Sequence, residues 1–250
     1  MPTTSWPPRR SPRAVTIALC CGLVLAGCGL AGCGHDDRRL ADDTSLAGPI
    51  TAVHLDGDDG GAIVRGKVGT TTVSVHRDIT YRDRPPGQTA ALEGGVLTLR
   101  GCGEHCAVDY TVTVPPGLPV TGRTTNGAVE LTDVGSVDVT TTSGSVGLDQ
   151  VQGDVRARTT NGDVHGRDLR GGRTEVETSN GEIDLAPAVA QDVRAATDNG
   201  SITLGLPGGG YRIATQTVDG DREIAVASDP RAAHVVDLRT TNGSITVRGR

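Results

Sequence analysis

Residues 155–164 read VRARTTNGDV, residues 174–183 read TEVETSNGEI, and residues 193–202 read VRAATDNGSI. Each decamer holds a Thr, then two residues later an Asn, then a Gly. The phrase, with Asn, Ser or Asp in third place, occurs seven times: 124–127, 141–144, 159–162, 178–181, 197–200, 217–220 and 240–243. Successive copies lie 17–23 residues apart. Repetition on that period means one supersecondary unit stacked on copies of itself, not a globule around a single cleft.

Aligned on the Thr, the repeats fall into columns. Four residues before it stand Val120, Val137, Val155, Thr174, Val193, Ile213 and Val236; two before it stand Gly122, Val139, Ala157, Val176, Ala195, Thr215 and Leu238. With the Thr these positions alternate, so they share one face of a strand. The Gly that follows accepts φ > 0 and makes a turn. Two and four residues beyond it come Val129/Leu131, Val146/Leu148, Ile183/Leu185, Ile202/Leu204 and Ile245/Val247, a second alternating strand; Gly166 and Arg222 break the rule. Val134, Val151 and Leu169 recur in the next loop.

A strand–turn–strand–turn unit fits either antiparallel hairpins or a parallel β-solenoid. The columns choose the solenoid, because identical residues stack on themselves only when successive coils run parallel and in register. Charges agree: Asp138, Arg156, Glu175 and Arg194 alternate in sign from coil to coil, and Arg158 is followed by Glu177. Stacking puts opposite charges side by side, pairs worth roughly 0.2–1 kcal/mol each that also reject a slipped register. The expected fold is all-β, a two-sheet parallel β-helix-like solenoid with regular coils over 119–250.

Residues 48–118 show the same architecture in irregular form. Gly61 is followed by Ile63 and Gly95 by Leu97 and Leu99, while Val53/Leu55, Val73/Val75 and Tyr110/Val112/Val114 alternate. These coils are expected to cover one end of the stack, since an open solenoid end is an adhesive strand edge. At the other end the chain is expected to stop at Arg248, Gly249 and Arg250, with charge alone guarding the edge.

The first 27 residues read as a lipoprotein signal peptide. Arg9, Arg10 and Arg13 precede an apolar run, 14–26, too short to span a bilayer comfortably. It closes on Leu25, Ala26, Gly27 and Cys28, which resembles a bacterial lipobox whose Cys carries the lipid; the same letters recur at Leu30, Ala31, Gly32 and Cys33. Cys28 lies at the ordinary distance from the last Arg and is the expected lipidation site. Cys33 is the alternative, favoured by cysteine economy because lipidation of Cys28 leaves it odd. Residues 28–47, Gly-rich and then charged (His35, Asp36, Asp37, Arg38, Arg39, Asp42, Asp43), show no periodicity and read as a flexible linker. The expected location is the outer face of the cytoplasmic membrane.

The formal net charge is −6, and the signal contains only basic charges, so the mature chain is more acidic still. Without basic tracts it is a poor partner for nucleic acid. Phe is absent and the one Trp, Trp6, lies in the signal, so the core must be built from Val, Ile, Leu, Ala and Thr. Cys102 and Cys106 are expected to form a disulfide, as a close pair does outside the cell. The alternative, a metal site with His105, lacks a fourth ligand. The run Asp56, Gly57, Asp58, Asp59, Gly60, Gly61 matches no calcium-loop spacing and reads as an acidic turn. No catalytic motif appears, the acids are spread over all coils, and no catalytic, metal or cofactor-binding residue is expected.

The lipobox, the spaced cysteines before residues 108–115 (VDYTVTVP) and the chain of Asn-Gly turns resemble a bacterial family of unknown function regarded as candidate adhesins. The resemblance covers about 48–250. It implies a β-solenoid at the cell surface with no catalytic residue to carry over. The expected function is a non-enzymatic envelope lipoprotein whose repetitive surface binds a wall polymer or an envelope protein. A glycan-active β-helix enzyme and a partner of an envelope stress-signalling system are the alternatives. Loops that break the repeat, 206–211 and 227–234, are the expected contact points.

Overall fold

The computed structural model describes residues 37–250, and all its regular structure is β. Before the repeats lie β1 (Arg38–Leu46), β2 (Ala52–Asp56), β3 (Ala62–Gly66), β4 (Val73–Tyr81), β5 (Ala90–Glu93), β6 (Val96–Arg100) and β7 (Cys106–Val114). The regular coils are strand pairs: β8 (Val120–Asn126) with β9 (Val129–Thr132), β10 (Val137–Ser143) with β11 (Val146–Asp149), and β12 (Val155–Arg158) with β13 (Val164–Leu169). They continue as β14 (Arg173–Asn180) with β15 (Ile183–Pro187) and β16 (Asp192–Asn199) with β17 (Ile202–Leu206). The last two coils are β18 (Tyr211–Gln216) with β19 (Arg222–Ile224), and β20 (His234–Asn242) with β21 (Ile245–Gly249).

The first strand of each coil joins a ten-stranded sheet and the second an eleven-stranded sheet, and the regular coils pair in parallel. Register follows the columns: Asp138 pairs with Arg156, Arg156 with Glu175, and Glu175 with Arg194. The chain is therefore a two-sheet β-solenoid. Its core is thin and aliphatic, with Val120, Val137, Val155, Val193 and Val236 from one sheet facing Val129, Val146, Val164, Ile183 and Ile202 from the other, all buried.

Two departures from the apolar columns, Thr174 and Gly166, are accommodated locally. Thr174, fully buried, donates its hydroxyl to Gln191 Oε1 (3.2 Å), and the Gln191 amide donates to the Leu169 carbonyl (3.0 Å). Gly166 leaves room that Leu169 fills: a Cβ at Gly166 would meet Leu185 Cδ2 at 2.8 Å and Leu169 Cδ1 at 3.0 Å. The strand bulges between Arg167 and Leu169 to bring Leu169 in. At the second corner, Asp133, Gln150 and Asp168 adopt φ of 53°, 56° and 50°, each just before the buried Val134, Val151 or Leu169.

Two expectations are corrected. Residues 38–46, read as part of a flexible linker, form β1, paired antiparallel with β4 along its whole length. Leu40 and Leu46 pack against the core, and Asp42 meets the buried Arg77 through two hydrogen bonds. A buried guanidinium needs such a partner, which holds the strand where hydrophobicity alone is thin. The remaining residues of the expected linker, up to 36, lie outside the described residues, as do the signal peptide, Cys28 and Cys33.

The second correction concerns the C-terminal end. β21 is no edge: it pairs with β17 on one side and β19 on the other, and β20 likewise lies between β16 and β18. The outermost coil is β18–β19, the irregular copy. Arg222, in a column that is apolar elsewhere, is exposed there, as is Ile224. A coil with one neighbour tolerates polar positions that an inner coil would have to bury. The other end is built similarly: β2 and β3 sit between β8–β9 and β6–β7, while β1, β4 and β5 close the stack as antiparallel strands.

Candidate functional site

The Thr-x-Asn-Gly corner is a hydrogen-bonded spine. Each Thr is buried or nearly so and donates its hydroxyl to the Gly carbonyl of the adjacent coil: Thr141 to Gly127 (3.3 Å), Thr159 to Gly144 (3.0 Å), Thr178 to Gly162 (3.0 Å), Thr197 to Gly181 (3.1 Å) and Thr240 to Gly200 (2.9 Å). The outer Asn side chains form a ladder of the same polarity. Asn180 Nδ2 donates to Asn161 Oδ1 (3.0 Å), Asn199 to Asn180 (3.0 Å) and Asn242 to Asn199 (2.8 Å). Ser143 interrupts the ladder, and beyond it Asn126 donates to Asp59 Oδ1 in the acidic turn at 56–61 (2.6 Å). The glycines are required by close approach as well as by φ: a Cβ on Gly162 would lie 2.2 Å from the Gly144 carbonyl oxygen.

This spine fixes the outer face of the ten-stranded sheet as a lattice of rows. One row runs His54, Thr121, Asp138, Arg156, Glu175, Arg194 and Asp237; the next runs Asp56, Arg123, Thr140, Arg158, Glu177, Ala196 and Arg239. In mid-face the charges are zipped. Arg158 Nε donates to Glu177 (2.9 Å), Arg158 Nη2 to Glu175 (3.1 Å) and Arg156 Nη2 to Glu175 (3.3 Å). The hydrogen-bonded Glu177 carboxylate raises the Arg158 pKa above its ordinary value, with the fields of Glu177, Glu175 and Asp138 adding to the effect. Towards the margins the zip opens: Asp138 and Arg194 make no ion pair among the described residues.

Depressions among the described residues lie on this face. One of about 620 Å³ is lined by His54, Asp56, Thr121, Arg123, Asp138 and Thr140. The next, about 350 Å³, shares Thr140 and continues past Arg158, Thr160, Glu177 and Ser179 to Asp198. Together they make a shallow trough crossing the strands from β2 to β16. A third, about 260 Å³, lies against Arg173, Asp192, Arg194 and Asp237. The lining is hydroxyls and charges of both signs held by the stack, an arrangement suited to hydrogen bonding along an extended polar chain.

Cys102 and Cys106 are joined by a disulfide, their Cα atoms 5.6 Å apart, at the entry to β7. His105 beside them lies 3.6 Å from Asp83, and among the described residues no group of three His, Cys, Asp or Glu could hold a metal ion. The repeat-breaking loops are tied into the sheet edge. The Tyr211 hydroxyl donates to the Pro207 carbonyl (3.0 Å), and Ser228 bridges to Tyr211 and accepts the Ile213 N–H (3.0 Å). They cover part of the edge of β18, and the trough itself comes from the regular repeats. The Thr spine and the left-handed corners at Asp133, Gln150 and Asp168 escape a reading by residue type, the first because a Thr in a strand looks like any β-former. Its recurrence directly before each Asn-Gly turn was the available signal.

A family model, the Toastrack domain of unknown function DUF4097, matches residues 119–248. The chain belongs to that family. The match spans the regular coils of the Toastrack solenoid, from just before β8 to within β21. No curated protein matches the chain. Among solved structures it is similar to a candidate cell adhesion protein from Clostridium sporogenes, at 9% identity over 85% of this chain and 100% of that one, with a TM-score of 0.42. It is also similar to a candidate adhesin from Bacteroides fragilis, at 13% identity over 85% of this chain and 97% of the other, TM-score 0.41. A candidate adhesin from Parabacteroides merdae gives 13% identity over 84% and 96%, TM-score 0.40.

Proposed function

We propose that this Toastrack protein is a non-enzymatic, adhesion-like envelope lipoprotein that binds an extended polar polymer, or an envelope protein, along the outer face of its ten-stranded sheet. The observation that carries the reading is the trough from His54 to Asp198, two depressions joined at Thr140 and floored by side chains that the stack holds in rows. Its acids belong to ion-paired rows or face solvent singly, an arrangement suited to recognition along a length rather than chemistry at a point. The signal at 1–27 and Cys28 would place the domain on the outer face of the cytoplasmic membrane, with the segment before β1 as its tether. Residues 48–118 would form the capped end and 119–250 the repetitive surface.

Two measurements test this. Mass spectrometry of the membrane-extracted N-terminal peptide should find the lipid on Cys28; an unlipidated mature terminus refutes the anchor. The full chain should bind isolated wall polysaccharide saturably and without turnover, and Thr140→Trp, which plugs the junction of the two depressions, should abolish that binding while leaving the fold intact. Polymer cleavage lost on replacing a single acid would overturn the passive reading in favour of a glycan-active enzyme.

A further inference from the structure

The third depression on the face differs from the trough in how its charges are arranged. β14 and β16 set Arg173 beside Asp192 and Glu175 beside Arg194, a two-by-two checkerboard that Asp237 on β20 extends next to Arg194. In the equivalent place one coil earlier Arg156 and Glu175 bridge at 3.3 Å. Here the carboxylates are already engaged from behind and the arginines are not. Glu175 is held by Arg156 and Arg158, Asp237 by Arg239 (2.9 Å), and Asp192 Oδ1 accepts the Val235 N–H (2.9 Å). The acid side chains are partly sunk, with 17%, 24% and 37% of their surface exposed for Glu175, Asp237 and Asp192. Arg173 and Arg194 stand exposed on the rim and make no ion pair among the described residues. The result is a depression of about 260 Å³ with carboxylates on its floor, guanidinium groups on its rim, and Val235 in its wall.

That pattern discriminates among ligands by charge. A phosphate dianion drawn to the two arginines meets three carboxylates, and a polyamine drawn to the carboxylates meets the arginines. A ligand with one charge of each sign, spaced by about one coil (roughly 4.8 Å between neighbouring strands), satisfies both. An extended dipeptide reaches at most about 7 Å, at roughly 3.3–3.6 Å of chain per residue, long enough to set its two charges over neighbouring coils. The place is also where the repeat is interrupted. Both irregular loops end beside it, at Tyr211 and His234, whose rings lie 6.2 Å apart, and His234 Nδ1 is 3.8 Å from Asp192. Loops that break a repeat are where solenoids commonly place recognition.

We infer that the depression between Arg173, Arg194, Asp192 and Asp237 is a binding site for a dipeptide-sized zwitterion, the free ammonium and carboxylate of a short peptide or of a peptide branch on a polymer. It rests on the outer face of the ten-stranded sheet being the binding surface. The ligand carboxylate lies between the rim arginines, its ammonium turns to Asp192 and Asp237, and a small side chain rests on Val235.

The test is a titration of the full chain with alanylalanine, read by calorimetry and by backbone amide shifts. Saturable binding is expected, with shifts centred on Arg194 and Val235. The N-acetylated and the C-amidated dipeptides should each bind at least about tenfold more weakly, a loss of about 1.4 kcal/mol. Arg194→Gln should lose the same, and because Arg194 supports no neighbour its spectrum elsewhere should be unchanged. Asp237→Asn provides a second variant on the opposite charge. The inference is overturned if alanylalanine gives no saturable shift, if inorganic phosphate or spermidine binds as well as the dipeptide, or if Arg194→Gln binds normally. Polymer binding that remains sensitive to Thr140→Trp while the dipeptide fails to bind removes this site and leaves the proposed function standing; loss of both removes both.

Discussion

Gly162→Ala probes the physical reason for the repeat, and Gly147→Ala is its control. A Cβ at Gly162 would stand 2.2 Å from the Gly144 oxygen, 2.5 Å from its carbon and 2.9 Å from Ser145 N. All three atoms are backbone, so no side chain can swing aside. The carbonyl is pinned by Thr159 Oγ1 at 3.0 Å, and Gly162 N–H itself donates to the Asn180 carbonyl at 2.9 Å. Opening the corner by an ångström or more would strain or break hydrogen bonds on both sides. Overpacking against fixed structure costs about 1–3 kcal/mol, and placing Ala at a φ of 157°, at the margin of the region glycine favours, adds up to about 1 kcal/mol. The expected loss is therefore roughly 1–4 kcal/mol. At Gly147, on the outer face of β11, the nearest foreign atom to a built Cβ is Glu130 Cγ at 3.7 Å, and φ is not positive. Alanine there should be neutral or stabilise by up to about 1 kcal/mol through the unfolded chain. Because a solenoid can unfold by segments, urea melts should be paired with hydrogen exchange of the coils on either side. Equal stability of the two variants, or protection lost equally in both, would refute the close-approach argument.

Thr178→Val keeps shape but removes the hydroxyl that serves the Gly162 carbonyl, and should cost about 0.5–1.5 kcal/mol in a urea melt, against almost nothing for exposed Thr160→Val. β1 should be held most firmly between two pH limits. His76 is raised above its ordinary 6.5, mainly by its hydrogen bond to Asp43, so its contribution is complete below 6.5 and fades as pH rises through the folded value. Asp42 is lowered from 3.8, mainly by its hydrogen bond to Arg77, so its contribution is present above 3.8 and fades as pH falls through the folded value. Exchange of residues 38–46, corrected for intrinsic rate, should rise beyond either limit; protection that stays flat from mildly acidic to alkaline pH would contradict this. Deleting residues from 234 onward should leave β18–β19 without a neighbour, so limited proteolysis should cut within 207–233 while β8–β17 stay protected.

Much of this solenoid is legible because a parallel stack writes its geometry into columns. Val155 and Val193 are buried for the same reason at equivalent addresses, and the sign alternation from Asp138 to Arg194 makes sense only if those residues touch in order. Legibility ends where a position depends on a distant partner. β1 turns Leu40, Asp42, Thr44 and Leu46 inward, a pattern too polar to read as a strand, and Asp42 becomes an interior residue only once Arg77 is opposite it. Gln191, buried in a loop, answers Thr174 and the Leu169 carbonyl together, which no local pattern announces. The trough is half legible. Its rows are readable, but that its two depressions meet at Thr140 shows only in the folded face.

The order of coils at the two ends was not legible at all, because a parallel column fits either neighbour equally. What decides the order is which coil can afford two neighbours. Val236, Leu238, Ile245 and Val247 are all fully buried, whereas Ile213, Thr215 and Arg222 in the preceding copy are not. Placing the apolar coil inside removes more apolar surface from water, at about 25 cal/mol per Å², than stacking in chain order would. The same exchange at the other end sets β2–β3 inside β6–β7. The consequence is mechanical as well as energetic. A coil at the end of a stack frays when it is also the end of the chain. Here the exposed coil β18–β19 is bound covalently on both sides, to β17 and to β20. The last strands are held by two neighbours, with Arg250 N–H donating to Leu206 (2.9 Å) and the Arg250 guanidinium to Ala186 (3.0 Å). The end capped by β18–β19 is thus built from an interior stretch of the sequence, whereas the other end is closed by β1 lying antiparallel to β4.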